Sequence, residues 1–111
     1  MNDIKYSPLA RQDLQEIKEY IEKELQNPSA AVNVVSNITK RIRMLADHPQ
    51  SGPSLSAIVD AYTDYRFLAC GGYTAFYRYE DKTVYIDRVL YGRRDFMKVL
   101  FGDLPDENHD E

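Results

Sequence analysis

The sequence predicts an α+β fold: a short N-terminal strand, then a helical hairpin packed on one face of a curved antiparallel sheet, in the order β-α-α-β-β-β. A short C-terminal helix and a disordered acidic tail are expected to follow. Three observations carry this expectation. Two apolar stripes at helical spacing fill the first half of the chain. Three aromatic, β-prone segments separated by turn residues come after them. No repeat or Pro/Gly-rich linker divides the two halves. Residues 1–101 are therefore expected to form one domain, with residues 102–111 as the tail.

Each element has its own signal. Ile4 and Tyr6 alternate with polar neighbours, as a short strand does. Ser7 then offers a helix N-cap and Pro8 a first helical residue. Leu14, Ile17, Ile21 and Leu25 form the stripe of an amphipathic helix whose other face is charged. Asn27-Pro28 breaks it, because the residue before proline disfavours the helical region. Ala31, Val34, Val35, Ile38, Ile42 and Leu45 make a second stripe, capped by Asn27 or Ser29 and ended at Asp47-His48-Pro49. The short break lets the two helices pair as an antiparallel hairpin. Residues 49–61 have no steady period and read as a loop.

The character then changes. Residues 65–70 and 73–79 flank Gly71-Gly72, a hairpin signal, and Glu80-Asp81-Lys82 makes the next turn. Residues 83–91 give the third strand of a meander, and Gly92 ends it. Residues 93–101 carry Phe96, Val99 and Leu100 at the spacing of one short helix.

Composition excludes several classes. Hydrophobic residues make up 43% and charged residues 29% of 111, an ordinary balance for a soluble chain. No apolar run approaches the ~18 residues of a membrane span, and the first residues hold no signal-peptide stretch. The single cysteine, Cys70, offers neither a disulfide nor a metal cluster. The expectation is a cytoplasmic protein with no cofactor and no metal.

The net charge of -4 is unevenly placed. Residues 102–111 hold five acids and no Lys or Arg, and read as a solvated end. Residues 65–101 hold seven basic residues against four acids, and five of the seven are Arg, whose planar fork suits phosphate and carboxylate. Six of the nine tyrosines lie between 65 and 91. Interleaved with arginine, such a face suits nucleic-acid backbone and bases; tyrosine is also simply a good strand residue. Cys70 reads as a small buried hydrophobe rather than a nucleophile, and His48-Pro49 as a helix terminus.

Several words in order carry a family resemblance. Tyr6-Ser7-Pro8-Leu9-Ala10 with Asp13-Leu14 and Ile17 opens the chain, and His48-Pro49 with Gly52 follows the second helix. Tyr65-Arg66 opens the meander, Phe76-Tyr77-Arg78-Tyr79 is its middle, and Arg88-Val89-Leu90-Tyr91-Gly92-Arg93-Arg94-Asp95 closes it. Over residues 2–101 the chain resembles the RelE/ParE superfamily, the toxins of type II toxin–antitoxin modules, also described as plasmid-stabilisation proteins. The resemblance implies a cytoplasmic toxin neutralised by a cognate antitoxin, in a hetero-oligomer with it. It implies one of two targets: the ribosome and its mRNA, cut by RelE-type members, or DNA gyrase, poisoned by ParE-type members.

The residues discriminate between these. RNA cleavage needs a base, an acid and cations for the developing phosphorane charge. By the resemblance, Arg66 and Arg94 match two cationic positions of the nucleases, and Tyr91 stands where relatives carry His, an acid or base at best. Two further positions that are basic in nucleases are Leu68 and Thr74 here. A binding toxin needs no acid–base pair. Arg66, Arg94 and Tyr91 are thus the catalytic candidates, and Arg78, Arg88 and Arg93 the target-binding ones. The expectation leans to the gyrase-inhibiting branch, with a metal-independent endoribonuclease, or a degenerate member that only binds an antitoxin, as the alternatives.

Overall fold

The computed structural model describes residues 1–57 and 63–92. The expected helix over 93–101, the acidic tail 102–111, and Arg93 and Arg94 lie outside the described residues. Strand β1 (Asp3–Tyr6) leads into α1 (Pro8–Leu25) and α2 (Pro28–Arg43), followed by the meander β2 (Arg66–Cys70), β3 (Tyr73–Glu80) and β4 (Thr83–Tyr91). This is the expected α+β order. Both helix starts are capped as the sequence implies. Ser7 Oγ accepts from the Ala10 amide at 2.9 Å and Asn27 Oδ1 from the Ala30 amide at 3.1 Å, with proline entering each first turn. Gln26 takes a left-handed conformation (φ 50°) and ends α1.

The sheet order is β1-β4-β3-β2. The meander is antiparallel, as expected, but β1 joins β4 in parallel, Tyr6 opposite Ile86, so the whole sheet is mixed. Residue spacing within a strand cannot reveal this, because a parallel partner is always distant in sequence. Asp81 and Lys82 both adopt positive φ (51° and 61°), the tight two-residue turn that matches strand twist.

The core lies between hairpin and sheet. Ala10 of α1, and Ile38, Ile42 and Leu45 from α2 and the turn after it, meet Leu68, Ala75, Tyr77, Val84, Ile86 and Val89 of the sheet. The stretch read as a loop has internal order. A 3-10 turn, Leu55–Ala57, follows Ser54, whose neighbours flank β2: the Phe67 amide donates to Pro53 O (3.1 Å) and the Leu55 amide to Tyr65 O (2.8 Å). The buried Tyr77 ring holds this loop, its hydroxyl donating to Pro49 O (2.9 Å) and accepting from the Gly52 amide (3.0 Å). Gly52 is required there, since a Cβ would run into the Phe67 carbonyl oxygen and the Tyr77 hydroxyl.

Candidate functional site

Pairing with β1 covers β4 only as far as Ile86, and side chains take over beyond it. Ser7 Oγ donates to Asp87 O at 2.8 Å. The register of β4 slips at this point: Tyr77 faces Ile86 while Phe76 faces Arg88, leaving Asp87 as the extra residue of a bulge. Past the bulge, the buried Asp13 carboxylate of α1 accepts three hydrogen bonds. They come from Arg88 Nε (2.8 Å), Arg88 Nη2 (2.7 Å) and the Val89 amide (2.9 Å). Asp13 thus acts in place of a neighbouring strand. Its hydrogen bonds hold Arg88 firmly protonated, against the opposing effect of burial.

Arg78 belongs to a second network. It alternates with the core-facing Tyr77, so it stands on the sheet face away from the helices, opposite Tyr85 in register. Its Nε donates to Asp87 Oδ2 (2.8 Å), its Nη1 lies 3.6 Å from Glu80 Oε1, and its guanidinium stacks 5.2 Å from the Tyr85 ring centroid. The Tyr65 hydroxyl shares a hydrogen bond with Asp87; burial first, and then that carboxylate, push the phenol pKa up. Two carboxylates therefore meet one guanidinium, and the cluster has no positive excess to offer a phosphate.

Arg66 is placed differently. Its Nη1 donates to Gly52 O (2.7 Å) and Gln50 O (3.4 Å), pinning the loop. Carbonyls do not neutralise a charge, so Arg66 keeps its own. Leu68 and Thr74 are buried, 4% and 6% exposed.

Tyr91 is the prominent exposed aromatic of the site, 72% accessible. Its ring meets Tyr73 edge-on with centroids 5.4 Å apart. Together with Ile17, Tyr20 and Leu90 these rings line a groove of ≈ 560 Å³ between α1 and the end of β4, with the Asp13–Arg88 pair at its base. Burial, with Tyr91 and Tyr20 close by, raises the Tyr73 pKa, so this ring presents a neutral hydroxyl at physiological pH. Such a surface can bury rings and donate hydrogen bonds, the chemistry of a protein-binding anchor. The structure brings Tyr91 and Arg88 together here and places Arg78 and Arg66 elsewhere.

Tyr20 and Tyr73 were not among the sequence candidates. A signal for Tyr20 exists: it flanks the apolar stripe between Ile17 and Ile21, on a helix side that is otherwise charged. Tyr73 follows the Gly71-Gly72 turn, and only the hairpin register shows that it sits opposite Tyr91.

Known proteins share this architecture. A chromosomal ParDE toxin–antitoxin structure from P. aeruginosa superposes with a TM-score of 0.71 at 21% identity, covering 83% of this chain and 97% of that one. The RelBE2 toxin–antitoxin complex from Mycobacterium tuberculosis gives 0.51 at 21% identity, covering 81% and 96%. The E. coli DinJ-YafQ complex gives 0.55 at 16% identity, covering 92% and 100%. At such identities the likeness is one of fold. No curated protein sequence matches the chain. Residues 4–96 do match the family model of the ParE toxin of the type II toxin-antitoxin system parDE. That match spans most of the chain, including every element above except the first residue of β1. The chain belongs to the ParE toxin family of type II toxin–antitoxin systems.

Proposed function

We propose that this chain arrests growth as a ParE-like inhibitor of DNA gyrase, acting by binding rather than by cutting RNA, and that a cognate antitoxin neutralises it in the cytoplasm. One observation carries the choice of mechanism. The two positions that are cationic in the superfamily's nucleases are Leu68 and Thr74, both buried, so neither side chain is available to a phosphorane. Each lost phosphate stabiliser is worth about 3 kcal/mol of transition-state energy, by analogy with oxyanion-hole deletions. Arg78 and Arg88 do not compensate, since each is matched by carboxylates.

Binding uses what the site has. Tyr91, Tyr73 and Tyr20 form an amphipathic anchor, and Arg66, with Arg93 and Arg94 in the sequence after β4, supplies charge for an acidic partner. Tyr91 accordingly acts as a contact residue.

The test is expression without antitoxin, following DNA supercoiling and translation separately. The proposal expects DNA damage or relaxation while protein synthesis continues, and weaker toxicity for Arg94→Ala in a folded chain that still binds antitoxin. A rapid stop in translation with site-specific mRNA ends would establish the nuclease instead, and absence of any toxicity would establish a member that only binds its antitoxin.

A further inference from the structure

The groove that holds Tyr91 carries an unbalanced negative charge. Two carboxylates, Asp13 and Glu16, line it against one guanidinium, Arg88. Asp13 engages Arg88 through both oxygens, at 2.7 and 2.8 Å, so that pair is closed. Glu16 supplies the excess. It is exposed and forms no ion pair among the described residues. Its Oε2 accepts from Gln12 Nε2 at 3.0 Å, which leaves Oε1 for a donor from outside.

Aromatic rings surround this charge. Glu16 and Tyr20 are four residues apart on α1 and so share one helical face. Across the groove, the Tyr73 and Tyr91 rings stand at 68° with centroids 5.4 Å apart, which makes a corner. Tyr20 and Tyr91 are both exposed, so a partner can reach the rings. The face of a phenol ring is the negative end of its quadrupole and attracts a cation. A carboxylate beside such a corner strengthens that attraction and repels an acid.

Arginine is the cation that uses both features. Its planar guanidinium stacks on a ring face while the N–H groups at its edge reach a carboxylate. The protein already uses this arrangement on the other face of its sheet. There Arg78 stacks 5.2 Å from the Tyr85 ring centroid while its Nε donates to Asp87 Oδ2 at 2.8 Å. The groove offers the same two partners, and its own guanidinium is committed to Asp13.

We propose that the groove receives an arginine side chain of the protein this chain binds, with the guanidinium stacked in the tyrosine corner and forked onto Glu16. This rests on the reading of the groove as the target-binding anchor, and it names the group that the target presents there. The target surface is then mixed, with an arginine for the groove and acids for the region of Arg66.

The test compares N-acetyl-arginine amide with its citrulline counterpart, in which a neutral ureido group of the same shape replaces the guanidinium. Each is titrated to about 0.1 M, at matched chloride, into the full chain while NMR follows the ring signals of Tyr20, Tyr73 and Tyr91. The arginine compound is expected to shift these signals saturably and to bind at least about threefold more tightly than the citrulline one. That ratio is the combined effect of an exposed cation–π contact and an exposed ion pair. Glu16→Gln should reduce the preference, and Tyr91→Ala should weaken arginine binding by about twofold or more. The Val84 and Ile86 amide signals, inside the sheet, should not move and so report an intact fold. Equal affinity for the two compounds overturns the proposal, as does arginine binding that both substitutions leave unchanged. Gyrase inhibition is measured with the same preparation. Inhibition without an arginine preference sinks the proposal alone, whereas an arginine preference without inhibition upholds it and sinks the choice of target.

Discussion

Replacing Asp13 by alanine should be among the most damaging single changes outside the apolar core. The carboxylate is 7% exposed and accepts three hydrogen bonds, two from Arg88 and one from the Val89 amide. Removing one partner of a buried ion pair costs about 3–5 kcal/mol, because the other charge stays without compensation. The Arg88 side chain retains 22% exposure, so partial rehydration places the ionic part near the lower figure, about 3 kcal/mol. The orphaned Val89 N–H adds about 1 kcal/mol or more. A loss of about 4 kcal/mol is a large share of a stability of about 5–15 kcal/mol, and at about 4 °C or more per kcal/mol it lowers Tm by roughly 15 °C. Urea unfolding followed by circular dichroism measures it, with the midpoint falling at unchanged slope. The double variant Asp13→Leu with Arg88→Met should recover most of the loss, since an apolar pair of similar volume replaces a buried ion pair at little cost. A destabilisation by Asp13→Ala below about 1 kcal/mol would refute the view that this pair closes the edge of β4.

Three further outcomes are expected. Tyr77→Phe removes the hydroxyl that joins Pro49 O to the Gly52 amide, and should cost about 1–3 kcal/mol in the same urea assay, by leaving a buried donor unpaired. Burial pushes the Cys70 thiol from 9.0 up to about 11, so the folded chain holds this proton to higher pH than the unfolded one. Its contribution to stability is complete below about pH 9 and is lost as the pH rises toward about 11, by roughly 2 kcal/mol in all; Cys70→Ala should flatten that part of the stability–pH curve. Tyr91→Ala, at a site 72% exposed, should leave the urea midpoint within about 0.5 kcal/mol while weakening target binding by tenfold or more, as loss of an aromatic anchor worth about 1.4–2 kcal/mol requires.

The local parts of this fold were legible because their signals are local. Ser7-Pro8 and Asn27-Pro28 mark both helix starts, and the stripes bury Ile21, Ile38 and Ile42, while Leu25, at the frayed end of the first stripe, stays exposed. Gly71-Gly72 and Asp81-Lys82 punctuate the meander at the observed turns. What the pattern could not carry was pairing across distance. The parallel seating of β1 beside β4 depends on a partner about 80 residues away. So does the capture of Arg88 by Asp13, 75 positions earlier, although Asp13 was visible as a family word without a physical role.

The same limit shapes the site. A run of arginines in strands reads as a cationic face, yet a sequence does not show which carboxylates fold back onto them. Asp87 and Glu80 engage Arg78, Asp13 engages Arg88, and loop carbonyls hold Arg66. Tyr91 could be named from its place in a motif. Its partners Tyr73 and Tyr20, which turn one ring into a groove, required the register of the hairpin and the docking of α1.

The most direct measurement of the central claim is the supercoiling activity of purified DNA gyrase on relaxed plasmid with increasing amounts of this protein. Inhibition that saturates with toxin and is relieved by Tyr91→Ala is the predicted result. Undiminished supercoiling at saturating toxin, alongside specific cleavage of mRNA on ribosomes by the same preparation, would contradict it.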